Sequence, residues 1–129
     1  DLSDFDRTAP EAAFDLVTTF DAIHDQACPQ AMLNGIRKAL AADGVYLAQD
    51  IRGSGRHDLD RNPALGTLLY TISCMHCMTV SLAQGGDGLG AMWGRELAFE
   101  MLRAAGFGRV SVHELAHDPQ NDYYVCFPK

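Results

Sequence analysis

The sequence predicts one α/β domain built around a parallel pair of strands. Two apolar runs, 14–17 and 45–48, flank a segment with helical spacing, and strand, helix and strand at this distance form a βαβ crossover. With 129 residues, of which 47% are hydrophobic and 21% charged, the chain can enclose one core. A crossover brings the carboxyl ends of both strands to one edge of the sheet, where open α/β sheets bind ligands.

The first strand is predicted to be buried and to run directly into a polar loop. Phe14, Leu16 and Val17 are apolar and β-favouring, and the segment 18–25, with the sequence TTFDAIHD, follows. A helix is then predicted from Cys28-Pro29, where proline suits the first turn, to Asp43-Gly44. The second strand ends at Gln49 and Asp50. His24, Asp50 and Arg52 should therefore lie at the same edge, and we expect a functional role for at least one of these groups.

The middle of the chain consists of a polar segment followed by a long segment that is almost free of charge. Residues 52–62 form a polar, glycine-bearing loop, and residues 64–83 carry no charged side chain apart from a protonatable His76. We expect 64–83 to form one or two buried helices that cover the sheet or a partner domain. Its glycine, serine and threonine residues and the lack of basic flanks argue against a membrane span.

The last third predicts a helix and two strands. The helix runs from about Gly94 to Ala105, and Gly106 ends it. Residues 110–113 alternate as a strand does, and 123–127 form a last β-rich run. These two strands should pair antiparallel or flank an inserted strand.

Charge and cysteine content narrow the function classes. A net charge of -7 offers no basic face for a phosphate backbone, so no nucleic-acid contact is expected. No signal peptide is seen, and the four cysteines lie in predicted helices and strands, which indicates a reducing cytoplasm. Asp1 is not an initiator methionine and the first strand would have an unpaired apolar edge, so we expect a fragment whose missing N-terminal part holds more of the sheet.

Two motifs have zinc-like spacing but the wrong context. His113 to His117 (HELAH) matches HExxH, which needs a helix, yet it spans a predicted strand end and a turn. Cys74 to Cys77 (CMHC) lies inside the long apolar segment, where buried free cysteines are the better interpretation. We predict that the protein holds no metal at either motif.

Several segments together resemble a known family. The runs FDLVTTFDAIHD, IRKALAADG, VYLAQDI and MLRAAGF, in this order, resemble the C-terminal half of a class I S-adenosylmethionine-dependent methyltransferase. The insert LLYTISCMHCMTVSLAQGGDGLGAMWG resembles a bacterial subgroup with an N-terminal winged-helix-like domain. The resemblance implies a partial methyltransferase domain over 1–129, with a Rossmann-like, mostly parallel sheet, one antiparallel strand near its edge and helices on both faces. Residues 53–93 would form a lid over the substrate.

The resemblance also implies roles for individual residues. It implies S-adenosylmethionine as cofactor and places His24 close to the transferring methyl group. Because an imidazole titrates near neutrality, His24 is the candidate base. The apolar segment rich in methionine, with Trp93, indicates a small, partly hydrophobic or aromatic acceptor. The implied cofactor contacts are Asp1, Leu2, Thr19 and Phe20. The implied acceptor contacts are Asp50, Arg52, Met75, His76 and Trp93. The family's glycine-rich loop and ribose-binding acid are not in this chain, so we expect the chain alone to be inactive.

Two other classes stay open. A nicotinamide-dependent oxidoreductase would share the crossover, but the nearby Tyr70 has no lysine partner in the sequence. A noncatalytic binding or dimerisation module is the second alternative, because the apolar segment 64–83 is also suited to pack against a second copy in a homodimer.

Overall fold

The strands form one mixed sheet. The computed structural model describes residues 4–60 and 65–129. The strands are β1 (Phe14–Phe20), β2 (Leu40–Ile51), β3 (Phe107–Leu115) and β4 (Asp118–Pro128), in the order β1-β2-β4-β3. β1 and β2 pair parallel, whereas β4 runs antiparallel to both β2 and β3. The crossover and the antiparallel strand next to the edge are confirmed, and the last two strands pair directly as a hairpin.

The helices predicted over 28–44, 64–83 and 94–105 are present, one with a shifted boundary, and two short helices, at 5–8 and within the predicted loop 52–62, were not predicted. They are α1 (Phe5–Thr8), α2 (Pro29–Ala39), α3 (His57–Asp60), α4 (Gly66–Ile72), a π-helical turn (Ser73–Cys77), α5 (Met78–Ala83) and α6 (Arg95–Ala104). α2 begins at Pro29 as predicted but ends before Asp43, because the chain becomes extended at Leu40, which pairs with Phe14 of β1. Strand pairing here overrides the helix propensity of the alanines at 41 and 42.

The core lies between one face of the sheet and helices α2 and α6. Buried residues from these elements share this cluster: Leu33, Ile36, Tyr46, Ala48, Ala98, Leu102, Phe107, Tyr124 and Cys126. On the opposite face, Leu16 is exposed and Val45, Leu47 and Val125 are half-buried. Helices on both faces were expected, but in the described ranges α2 and α6 cover only one.

β1 is far more exposed than predicted. Phe14, Leu16 and Phe20 are 47%, 59% and 58% exposed. An apolar strand of this kind is typical of a parallel sheet covered on both faces. Here β1 is the outer strand, and within 4–60 and 65–129 no segment pairs with its free edge. The prediction of a buried strand is therefore wrong for the structure described.

The apolar segment is also more exposed than predicted. Gly66–Ala83 is helical throughout and, by length and mean hydropathy (1.2), would pass for a membrane span, yet only 22% of it is buried. One such helix is by itself weak evidence for a membrane span. That the protein has no membrane contact stays a prediction. Cys77 is buried but Cys74 is exposed, so the interpretation of CMHC as two buried core cysteines is half wrong. Only one side of the helix contacts the protein.

HELAH does not form a helix. His113 and Glu114 lie in β3, and His117 lies in the turn before β4. The geometry that the HExxH motif requires is therefore not formed at these residues.

Candidate active site at the strand ends

The chain turns sharply where β1 ends. Asp21 has a φ of 53°, a left-handed conformation that aspartate adopts more readily than most residues. Its backbone N–H donates to the carbonyl of Gln49 at 2.9 Å, which ties the turn to β2. Such a conformation costs on the order of 1–3 kcal/mol and is concentrated at functional sites. The turn leads the chain to His24 at the end of β2.

His24 and Asp50 form a buried pair. Each is 2% exposed, and Nδ1 of His24 donates to Oδ1 of Asp50 at 2.7 Å. The same oxygen accepts the backbone N–H of Ile51 at 2.8 Å, which fixes the carboxylate. Because Nδ1 carries the donated proton, Nε2 of the neutral ring keeps its lone pair. The arrangement orients His24 as a base.

Two further carboxylates surround the imidazole. Asp25 Oδ1 lies 3.3 Å from Nε2, and Asp21 Oδ1 lies 3.9 Å from Nδ1. Burial lowers the pKa of His24, but the hydrogen bond to Asp50 and the charges of Asp50, Asp25 and Asp21 outweigh it, so the pKa is raised above 6.5. Burial raises the pKa of Asp21; His24 opposes this effect, while Asp50 and Asp25 add to it. We call His24, Asp21, Asp25 and Asp50 the acidic corner.

The acidic corner has unused hydrogen-bonding capacity. Within the described ranges, Oδ1 of Asp25 and Oδ2 of Asp50 are buried and accept no hydrogen bond. Most buried polar atoms in proteins are paired, and an unpaired one costs about 1–3 kcal/mol. Three carboxylates around one histidine also leave the corner with net negative charge. Such a site suits a ligand that is cationic or donates a proton.

Cys77 also reaches this corner. Its Sγ, a ring nitrogen of His24 and a carboxylate oxygen of Asp25 lie within 4.8 Å of one another, and the same holds for ligand atoms of Asp21, His24 and Asp50. The sequence interpretation missed Cys77, because CMHC has no local signal that points to a loop 50 residues earlier. The absence of a bound metal stays a prediction.

Two of the four implied cofactor contacts, Thr19 and Phe20, lie in the described part of the chain, and both are at the same edge of the sheet as His24. Thr19 Oγ1 is hydrogen-bonded to the buried Tyr46 hydroxyl at 2.7 Å, and Phe20 exposes its ring beside the corner. Asp1 and Leu2 lie outside the described residues.

Of the implied acceptor contacts, the structure brings only Asp50 to His24. Arg52 is ion-paired with Asp122 at 2.9 Å. Trp93 is 9% exposed and belongs to the main core. Met75 is 75% exposed, and His76 is exposed beside it on the π-helical turn. The role of each in binding an acceptor stays a prediction.

A large cavity lies away from the acidic corner. It has a volume of about 690 Å³ and is lined by Arg52, Leu59, Asp60, Leu69 and Arg95, among others. None of the four residues of the acidic corner lines it. We therefore place the candidate chemistry at the hydrogen-bonded corner and not in this cavity.

Solved methyltransferases share this fold. An O-methyltransferase family protein from Burkholderia thailandensis superposes with a TM-score of 0.67 at 16% identity, over 100% of this chain and 34% of its own. A structure of PigF with SAH gives 0.66 at 19% identity, over 98% and 33%. A SAM-dependent methyltransferase from Thermotoga maritima gives 0.65 at 14% identity, over 94% and 59%.

These comparisons define the class of fold. The sequence matches no protein-family model and no curated protein. The chain has the fold of part of an S-adenosylmethionine-dependent methyltransferase, with a mixed sheet, one antiparallel strand and helices. It spans about a third of the length of the first solved structures that it matches. The predicted fold class and its resemblance to a methyltransferase half are confirmed at the level of fold.

Proposed function

We propose that the chain takes part in methyl transfer from S-adenosylmethionine to a small molecule, with His24 as the general base. The observation that carries the proposal is the buried His24–Asp50 pair at the ligand-binding edge of a methyltransferase fold. A base is needed when the acceptor must lose a proton as it is methylated, as a hydroxyl does.

The residues present fit part of such a cofactor. S-adenosylmethionine supplies an activated methyl group on a positively charged sulfonium. The negative acidic corner would attract that charge, since opposite charges about 4 Å apart near a protein surface interact with several kcal/mol. Phe20 offers an exposed apolar ring at the same edge, and the main chain of Thr19 lies beside it. These groups would hold the methionine end.

The proton step follows from the hydrogen bonds of His24. Nε2 takes the acceptor's proton while Nδ1 continues to donate to Asp50. The imidazolium that forms is stabilised by the carboxylates of Asp50, Asp25 and Asp21, as in other histidine–aspartate pairs. Burial of His24 excludes water, which strengthens these interactions and favours alignment of the reacting groups.

The chain acts with a further segment in this proposal. That segment supplies the glycine-rich loop and pairs with the free edge of β1, whose exposed Leu16 and Phe20 would then be covered. Residues 53–93 act as the lid, which is supported by the bond from Ser81 Oγ to the carbonyl of Gln26 in the His24 loop at 3.0 Å. We place the reaction in the cytoplasm, without membrane or nucleic-acid contact.

A dimerisation module is the alternative that an observation favours. Exposed apolar side chains recur along the long helix and the residue before it, at successive spacings of three, four, three and seven residues: Leu65, Leu68, Ile72, Met75 and Leu82. This spacing is typical of helix pairing, so a homodimer through 64–83 remains a proposal. The oxidoreductase alternative gains nothing, because the Tyr70 hydroxyl donates to Asp60 at 3.0 Å.

The decisive experiment joins the chain to its upstream coding segment. Purified protein is mixed with S-adenosylmethionine and a panel of phenols, amines and carboxylic acids, and release of S-adenosylhomocysteine is measured. We expect turnover with at least one acceptor and its loss in His24→Ala, but not in His117→Ala, which changes an exposed histidine in a turn. Turnover that is equal in all three proteins would refute His24 as base. No turnover, together with no calorimetric binding of the cofactor, would favour the dimerisation module.

A further inference from the structure

One row of the long helix faces the protein. Leu69, Ser73, Cys77 and Ser81 are buried at intervals of four residues, and their neighbours in this helix are mostly exposed. In an α-helix, positions four apart drift by about 40° around the axis. The π-helical turn at Ser73–Cys77 is wider and rotates less per residue, so it reduces this drift. The π-helical turn therefore keeps Cys77 in line with the serines.

Two anchors fix the height and rotation of Cys77. Four residues before it, Ser73 Oγ accepts the backbone N–H of Ala91 at 2.9 Å. Four residues after it, Ser81 Oγ donates to the carbonyl of Gln26 at 3.0 Å and accepts the N–H of Gly88 at 3.0 Å. Ser81 thus ties the helix directly to the loop that carries His24 and Asp25.

Cys77 sits between these anchors, with its thiol at the acidic corner. It is 4% exposed, and its Sγ lies within 4.8 Å of a ring nitrogen of His24 and of a carboxylate oxygen of Asp25. Burial and the neighbouring Asp25 carboxylate raise the pKa of Cys77 to about 12, so the thiol keeps its proton. A protonated thiol is a weak hydrogen-bond donor, and the carboxylate beside it is an acceptor only.

We propose that Cys77 is a positioning residue for His24, acting through Asp25. Its Sγ lies within 4.8 Å of the Asp25 carboxylate, whose buried Oδ1 accepts no hydrogen bond from the described part of the chain. In this proposal the S–H donates to that carboxylate, holds it beside Nε2 and withdraws part of its negative charge. Asp25 then stabilises the imidazolium less strongly, and Nε2 releases its proton more readily. The groups that face the ring are Asp50 from β2, Asp21 and Asp25 from the loop after β1, and Cys77 from the long helix. The inference rests on the proposed function, in which His24 is the base.

The test measures the pKa of His24 directly, without turnover. Histidine is labelled with ¹³C, the His24 signal is assigned by its loss in His24→Gln, and its titration is followed by NMR. We expect Cys77→Ala to raise the pKa of His24 by about 0.5, which is about a threefold change in the ratio of protonated to neutral ring. Cys77→Ser retains a donor and should stay near the parent. Cys74→Ala, an exposed cysteine on the same helix, is the matched control and should not shift the pKa.

Three outcomes would overturn the inference. An unchanged pKa in Cys77→Ala refutes the coupling, and equal shifts in Cys77→Ala and Cys77→Ser show that the donated hydrogen bond is not its cause. One zinc ion per chain, found by elemental analysis and lost in Cys77→Ala, would make Cys77 a metal ligand instead. If Cys77→Ala does not fold, Cys77→Ser still tests the proposal. A pKa of His24 in Cys77→Ser that is clearly above the parent value contradicts it. None of these readouts depends on methyl transfer, so failure of the proposed function is distinguishable.

Discussion

Two charged clusters in this protein are built on opposite principles. The first cluster is centred on Asp122 of β4, which is fully buried. Its carboxylate accepts a hydrogen bond from Arg52 at 2.9 Å and two from Arg95 at 2.8 and 2.9 Å. Glu114 bridges the same two arginines at 3.2 and 2.8 Å. Two cations and two anions therefore balance, and each carboxylate is paired.

The acidic corner has no such balance. Asp21, Asp25 and Asp50 surround one imidazole, and buried oxygens of Asp25 and Asp50 accept no hydrogen bond in the described part of the chain. A cluster that serves stability satisfies its own charges, since an unpaired buried charge is costly. A cluster that keeps unpaired acceptors retains capacity for a ligand or a proton. The contrast marks the first cluster as structural and the second as the candidate for chemistry.

The largest expected effect comes from removing the base. His24→Ala should lower kcat by about 10²- to 10⁴-fold in the complete protein, because a general base acts in the transition state. Binding of S-adenosylmethionine, measured by calorimetry, should weaken much less. A loss of affinity as large as the loss of turnover would assign His24 to cofactor binding.

The structural cluster should respond in stability. Asp122→Asn leaves Arg52 and Arg95 without their shared buried partner, and we expect the free energy of unfolding to fall by about 3 kcal/mol. Urea denaturation measures it. Glu114→Gln, at a side chain that is 55% exposed, is the comparison and should cost less than about 1 kcal/mol. Equal losses in both variants would contradict the view that the buried carboxylate carries the cluster.

The pH dependence should distinguish the corner further. His24 acts as a neutral base, so turnover should fall as pH falls through its pKa, with a midpoint above 6.5 in the parent. A raised histidine pKa also stabilises the folded state below 6.5, and that contribution is lost as pH rises through the folded pKa. Asp50→Asn removes the charge but keeps an acceptor, and should lower the midpoint by about 1. Profiles of kcat/KM against pH measure it, and an unmoved midpoint would show that Asp50 does not set the basicity.

The smallest effect on folding is expected at the exposed strand. Leu16→Lys places a charge on β1 where the side chain is 59% exposed, so the free energy of unfolding should change by less than about 0.5 kcal/mol. Self-association of the isolated chain should decrease, since charges on an edge strand oppose pairing between chains. Light scattering compares it with Leu97→Lys, a matched change on helix α6 that should leave association unaltered. If Leu16→Lys and Leu97→Lys self-associate to the same extent, the chains do not associate through the edge of β1.

Local pattern alone predicted much of the framework. The two apolar runs, the proline at the start of α2 and the strand-end positions of His24 and Asp50 all follow from periodicity and from the geometry of a crossover. These features depend on residues that are close in sequence or on a rule that fixes where parallel strands end. For that reason His24 and Asp50 were found from the letters of the sequence.

Packing between distant segments decided the rest. Cys77 reaches His24 only because a π-helical turn and two serines align it, and no spacing rule links residues 53 positions apart. Arg52 lies only two residues after Asp50 in the sequence, but its guanidinium donates to Asp122, which lies 70 residues later in the chain. The exposure of β1 likewise depends on what lies across its free edge and faces. Each of these features depends on which of several alternative contacts between distant residues is the most stable. The sequence names the residues that can make such contacts, but only the folded structure shows which contacts form.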